Sequence, residues 1–305
     1  MKSFFKIWWM AIRPKTLTAS LAPVLIGTSM AIGDGIEHLP TAIVALLTAL
    51  AIQIGTNLTN DYFDFKNGAD TSERIGPTRV MQAGLVSSGA MKIAIALSLL
   101  LTLVGCFYLV QRGGWIIAMI GILAVISGFL YTAGPRPLGY AGLGDIFVFI
   151  FFGPVAVAGT YYVQSLEINM AVILAGVAPG LISVGILTIN NLRDMDTDAK
   201  SEKRTLAVRF GRSFACSEFL YCLLGASLMP VVICSLIQDH GDILMAAVIA
   251  ILAVPIFKTV LTKLDGPSLN RALGLTSRLL LIYSVLFSIG WISLSNIFHY
   301  FLRKL

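Results

Sequence analysis

Apolar residues along this chain fall into nine long runs, roughly 16–33, 40–60, 91–110, 114–133, 144–163, 170–190, 214–236, 243–262 and 276–298. Each is close to the roughly 20 residues a helix needs to cross the hydrocarbon of a bilayer. The pattern predicts an all-α integral membrane protein, a bundle of about nine transmembrane helices forming a single domain over residues 1–305. Ahead of the first run, Lys2 and Lys6 lead into Trp8, Trp9 and Met10, and Arg13, Pro14 and Lys15 end the stretch. No small-residue cleavage site follows, so this is not a signal peptide. It reads as a short amphipathic piece lying on the membrane surface.

Composition agrees. Hydrophobic residues make up 57% of the chain and charged residues 12%, against about 25% charged in a soluble domain. A net charge of +6 would suggest a nucleic-acid partner until the charges are placed. Alternating the loops puts 19 of the 22 Lys and Arg residues on one side and leaves Arg112, Arg303 and Lys304 on the other. Lys and Arg mark the cytoplasmic face, so the N-terminus is expected inside a cell inner or plasma membrane and no nucleic acid is implied. Cys106, Cys216, Cys222 and Cys234 lie scattered in apolar runs and read as packing residues. The far-side loops carry Asp34, Glu37 and His38, and Asp239, His240 and Asp242, which read as solvated turns.

The basic side holds two acidic clusters of similar design, one at 57–70 and one at 190–198, each beginning inside an apolar run and continuing past its end. The first reads Asn57-Leu58-Thr59-Asn60-Asp61-Tyr62-Phe63-Asp64 and continues to Asp70; the second reads Asn190-Asn191-Leu192-Arg193-Asp194-Met195-Asp196-Thr197-Asp198. Ionisable groups at membrane depth are costly and mark function. Residues four apart share a helix face, which groups Asn60 with Asp64, Asp194 with Asp198, Asn57 with Asp61 and Asn190 with Asp194. Carboxylates held this close repel unless a cation lies between them. Oxygen donors without His or Cys select a hard cation such as Mg²⁺, with Asn60, Asp61, Asp64, Asp70, Asp194 and Asp198 as candidate ligands. Arg74 and Arg79 follow the first cluster; Lys203, Arg204, Arg209 and Arg212 follow the second. Metal-binding carboxylates ringed by such donors form a receptor for a diphosphate. Arg74, Arg79, Lys203 and Arg204, with the amides of Asn57 and Asn191, are its candidate contacts. The recurrence of the design suggests an internal duplication.

At these clusters the sequence resembles the UbiA superfamily of intramembrane aromatic prenyltransferases. Asn60 and Asp64 match the family's first motif, and Asp194 and Asp198 its second. Within that superfamily, Asn60-Asp61-Tyr62-Phe63-Asp64, Gly68-Ala69-Asp70-Thr71, Glu73-Arg74-Ile75-Gly76-Pro77-Thr78-Arg79 and Asn190-Asn191-Leu192-Arg193-Asp194 are similar to the branch that prenylates 1,4-dihydroxy-2-naphthoate in menaquinone synthesis. So is Gly134-Pro135-Arg136-Pro137-Leu138-Gly139-Tyr140 with Gly142-Leu143-Gly144-Asp145. Gly68 stands where many members have a third Asp, with Asp70 two residues on; Asp145 and Glu202 replace an expected Glu and Gly. The resemblance implies transfer of a polyprenyl chain from its diphosphate to the naphthoate with loss of CO₂. Mg²⁺ would lie on Asn60, Asp64, Asp194 and Asp198, and Tyr62, Tyr131 or Tyr140 would offer a π face to the allylic cation. Tyr140 is named with the four motif residues as catalytic. Other acceptors such as 4-hydroxybenzoate, and a cation-coupled transporter with paired acidic sites, are the competing readings. The one-sided placement of the acids argues against transport.

Overall fold

The computed structural model describes residues 3–68, 76–131, 133, 137–238 and 240–292. Asp70 and Arg74, two of the candidate site residues, lie outside them. Among the described residues, eight helical stretches are long and apolar enough to cross a membrane. A short helix α1 (Phe4–Ile12) precedes α2 (Pro14–Gly33) and α3 (Leu39–Lys66). Next comes α4 (Ser88–Leu130), followed by two broken spans, α5 (Gly144–Phe152) with α6 (Pro154–Ser165), and α7 (Met170–Ala175) with α8 (Val177–Arg193). The one-and-a-half turns of α9 (Met195–Lys200) lead to α10 (Leu206–Ile237). A 3₁₀ segment (Gly241–Val248) continues into α11 (Ile249–Thr262), and α12 (Gly266–Ile292) ends the described chain.

The 43-residue α4 is two helices. Gly114 has φ 67° and ψ −157°, well outside helical geometry. A Cβ added to Gly121 would lie 3.1 Å from Cys106 Sγ, whereas 15 residues of straight helix would separate those positions by about 22 Å. The chain therefore doubles back at Gly113-Gly114, and the eight stretches contain the nine apolar rods expected from the sequence. Where single spans were expected over 144–163 and 170–190, each is broken, at Gly153-Pro154 and at Gly176. Those breaks pack on each other: a Cβ on Gly176 would meet Pro154 Cα at 2.5 Å, and one on Gly180 would meet the Phe149 carbonyl at 2.7 Å. No side chain fits there, which is how two bent spans come into backbone contact.

The main core joins α2, α8, α10 and α12 around Ile26, Ile182, Phe219, Tyr283 and Phe287, all fully buried. A second, smaller core forms under α1. Ala11 and Trp8 pack with Leu58 of α3 and with Val80 and Met81 of the segment that follows α3, while Phe4, Phe5 and Trp9 face outward. At the opposite end of the bundle, Asp34 accepts from the Tyr161 hydroxyl at 2.7 Å and the Trp291 indole at 3.4 Å. His240 stacks on Trp291 with ring centroids 4.1 Å apart, so it is packed rather than a freely solvated turn residue.

Candidate active site

A cavity of about 360 Å³ runs between α2, α3, both arms of α4, α5, α6 and α8. One face of α3 forms its length: Ala45, Thr48, Ala49, Ile52, Gln53, Thr56, Asn57, Asn60 and Asp64 all line it. Those steps of three and four residues are the helical repeat, and 19 residues of helix extend about 28 Å. The stripe changes character along that length. Ala45, with Leu109, Ile117 and Val163, closes an apolar end. Asn60, Asp64, Arg79, Asn190, Lys203 and Arg13 line the other end.

Both clusters meet at this polar end. The Tyr140 hydroxyl donates to Asp64 Oδ1 at 3.2 Å. Lys203 Nζ lies 3.4 Å from Asp198 Oδ1 and 5.8 Å from the centroid of the Tyr140 ring. Tyr140 and Lys203 thus link the carboxylate of one motif to that of the other. The turn carrying Tyr140 is built for this. Tyr140 N and Ala141 N both donate to the Pro137 carbonyl, and the Arg204 N–H donates to the Tyr140 carbonyl at 3.0 Å. Gly142 takes φ 71°, and a Cβ there would come within 2.9 Å of the Arg204 carbonyl oxygen. Only glycine meets both demands. Tyr131 lines the cavity close by, with the charges of Asp145, Asp64 and Asp198 all bearing on its phenol.

Other expected site residues are placed elsewhere. Asp61 is 1% exposed and accepts the Val80 N–H at 3.3 Å on Oδ2, anchoring the segment that carries Arg79. It is one residue, or about 100° of helix, from Asn60, and does not line the cavity. Asp194 closes α8 with φ −95° and ψ 6°. Arg193 takes both its oxygens, Nε to Oδ1 at 2.8 Å and Nη2 to Oδ2 at 2.5 Å, and also reaches Asn190 and Asn270. That buried pair braces α8 against α12 and engages both Asp194 oxygens, while the Asp198 N–H donates to the Asp194 carbonyl at 2.8 Å, so the two carboxylate residues stand one helical turn apart. Asn191 is buried away from the cavity, where Asn190 takes the lining position, and Arg204 is exposed. Asn57 lines the cavity, but its amide is bonded to Ile12 and Thr16. Tyr62 turns toward Lys92, whose Nζ is 5.8 Å from the ring centroid.

Arg13 is the charged lining residue that sequence reasoning did not assign. The only signal for it was its break in the first apolar stretch, beside Pro14.

Among the described residues no three of His, Cys, Asp and Glu converge on one point. The candidate donors are the Asp64 carboxylate and Asn60 amide, which line the cavity, and Asp198, which is linked to Asp64 through Lys203 and Tyr140. Two carboxylates are too few for an all-protein cage, but they fit a hard cation that completes its shell with phosphate oxygens and water, as Mg²⁺ does.

A multi-helix membrane bundle enclosing a cavity with an ionic head and a long apolar wall is a receptor for an amphiphile. The chain belongs to the UbiA prenyltransferase family, whose sequence profile matches residues 20–276. It is 36% identical over 295 residues to the 1,4-dihydroxy-2-naphthoate octaprenyltransferase of Escherichia coli K12, covering 93% of this chain and 94% of that one. To the protein of the same name from Haemophilus influenzae it is 41% identical over 215 residues, 68% of this chain and 70% of that one. In fold it is similar to a UbiA homologue from Archaeoglobus fulgidus solved bound to GPP and Mg²⁺, with a TM-score of 0.65, 17% identity and coverage of 92% and 99%.

Proposed function

We propose that this protein transfers a polyprenyl chain from its allylic diphosphate to 1,4-dihydroxy-2-naphthoate, with release of the acceptor's carboxylate as CO₂ and of the diphosphate, and formation of the quinol of demethylmenaquinone. The observation that carries the chemistry is the single stripe of α3 running from Asp64 to Ala45, ionic at one end and apolar at the other. A polyprenyl diphosphate has that same division. The choice of acceptor rests on the full-length similarity to the naphthoate enzymes.

Asp64, Asp198 and Asn60 would hold Mg²⁺ together with the diphosphate. When bound, the ion would supply positive charge against the negative charge that develops on the leaving group. Lys203 and Arg79 add fixed positive charge at that end. Such groups raise the rate because they are worth more to the transition state than to the ground state. As the carbon–oxygen bond lengthens, the allylic carbon becomes cationic, and the Tyr131 ring in the cavity wall offers a π face to it. The electron-rich ring of the acceptor attacks that carbon, and the electrons of its C–CO₂⁻ bond restore aromaticity as CO₂ departs. Tyr140 would not touch the substrate; it orients Asp64 and packs under Lys203. The clustering of Lys and Arg on the loops at this end supports a site facing the cytoplasm.

The test is a competition. Equal amounts of 1,4-dihydroxy-2-naphthoate and 4-hydroxybenzoate are given with one polyprenyl diphosphate and Mg²⁺, and the products are weighed. Prenylated naphthoquinol without the carboxyl carbon is expected to dominate. A dominant prenylated hydroxybenzoate would overturn the acceptor, and no prenylated product with either acid would overturn the reaction.

A further inference from the structure

Arg13 is the residue between α1 and α2, and its backbone is left-handed, φ 55° and ψ 68°. L-residues other than Asn, Asp and Gly avoid that region, and such a conformation persists where its surroundings impose it. The surroundings here are a set of polar side chains at the end of α3. Asn57 Nδ2 donates to the Ile12 carbonyl at 2.8 Å and to Thr16 Oγ1 at 2.9 Å, so both of its amide protons are used. Its Oδ1 accepts from Gln53 Nε2 at 3.3 Å, and Gln53 Nε2 also lies 3.5 Å from Thr16 Oγ1. Thr16 completes the loop, its N–H and its hydroxyl both donating to the Arg13 carbonyl at 2.9 Å. Asn57 is 3% exposed and Gln53 7%. The partners of Asn57 and Thr16 grip the chain on both sides of Arg13, at Ile12 and at Thr16, and the Arg13 side chain lines the cavity.

We propose that Asn57 is a positioning residue, which through Thr16 fixes the α1–α2 corner so that the Arg13 guanidinium faces an anionic oxygen of the bound substrate. With both amide protons committed, Asn57 has none to give to a phosphate. The two Asn residues of the first motif therefore divide the work, Asn60 facing the site and Asn57 holding a cationic residue of another helix in place. The inference rests on the prenyl-transfer reading, and two anions are then available, the donor's diphosphate and the acceptor's carboxylate.

A double-mutant cycle on steady-state prenyl transfer tests it, with KM measured separately for each substrate. Arg13→Ala is expected to raise KM for one of the two at least about 10-fold, which names the anion it meets. Asn57→Ala should raise the same KM by a similar factor with kcat within about 3-fold, and the double variant should be no worse than Arg13→Ala alone. Thr16→Val, which removes the hydroxyl that Asn57 and the Arg13 carbonyl share, should move the same constant and serves if Asn57→Ala does not accumulate. Additive losses, or an effect of Asn57→Ala on kcat alone, would overturn the positioning role while leaving prenyl transfer intact. Absence of transfer by the unaltered protein would instead overturn the reading beneath it.

Discussion

The Tyr140 hydroxyl donates to Asp64 Oδ1 across 3.2 Å, tying a turn beyond the fourth helix to a motif 76 residues earlier. The same ring carries Lys203 above it, and Lys203 in turn meets Asp198. The two acidic motifs therefore touch through a phenol and an ammonium group rather than directly. Tyr140→Phe keeps the ring under Lys203 and removes only the hydrogen bond to Asp64. It is expected to lower kcat about 10-fold, since a charge-assisted hydrogen bond contributes roughly 1.5–3 kcal/mol. Tyr140→Ala should lower it further. Equal rates for the two variants would show that the hydroxyl alone matters.

Asp64→Ala and Asp198→Ala should each reduce prenyl transfer by at least about 10²-fold, with the protein still inserted and purifiable. Turnover near the unaltered rate in either would remove the shared cation from the mechanism.

Arg193 and Asp194 should behave in the opposite way. Their side chains are 2% and 4% exposed, and Arg193→Met leaves a buried carboxylate without its counter-charge. Such a loss costs about 3–5 kcal/mol, so the thermal midpoint in detergent should fall well below that of Asp64→Ala. A midpoint unchanged by Arg193→Met would overturn the bracing role of the pair.

Ala49 faces the cavity about 22 Å along the α3 stripe from Asp64, near its apolar end. Ala49→Phe fills that section, and the preferred donor should shift toward shorter prenyl diphosphates while Asp64 and Asp198 stay in place. Donors of increasing length, compared by kcat/KM, read this directly. An unaltered preference would mean the tail takes another path.

Single cysteines at Lys200 and Ser268 should label from the cytoplasm, and those at Glu37 and Gly241 from the other side, after the four native cysteines are replaced. Lys200 labelling from the far side and Glu37 from the cytoplasm would reverse the expected orientation of the site.

Hydrophobic runs alone gave the spans, including both arms of the hairpin at Gly114, because length and apolarity are properties of sequence. Helix breaks at Gly153 and Gly176 were not legible, since what makes them is backbone contact between two spans. At the site, a spacing of four residues grouped Asn57 with Asp61 as readily as Asn60 with Asp64. Adjacent faces of one helix differ by about 100°, and nothing in the order of residues says which one meets the cavity. The ion pair of Asp194 went unforeseen for a related reason. Neighbours along a helix do not face each other, but α8 ends at Asp194, and the break lets Arg193 turn back onto it. Arg13 left no pattern, because its importance comes from a backbone angle and from side chains 40 and more residues away.

The apolar end of the cavity, closed by Ala45, Leu109, Ile117 and Val163, lies at the opposite end of the bundle from the ionic head, beside the hairpin at Gly114. A donor whose tail belongs there arrives from the lipid phase, at its mole fraction in the bilayer rather than its molarity in water. Below saturation, doubling the phospholipid at constant donor should cut the rate to about half, although the aqueous composition is unchanged. The naphthoate, which comes from water, should show no such dilution. One protein would thus obey surface kinetics for one substrate and solution kinetics for the other.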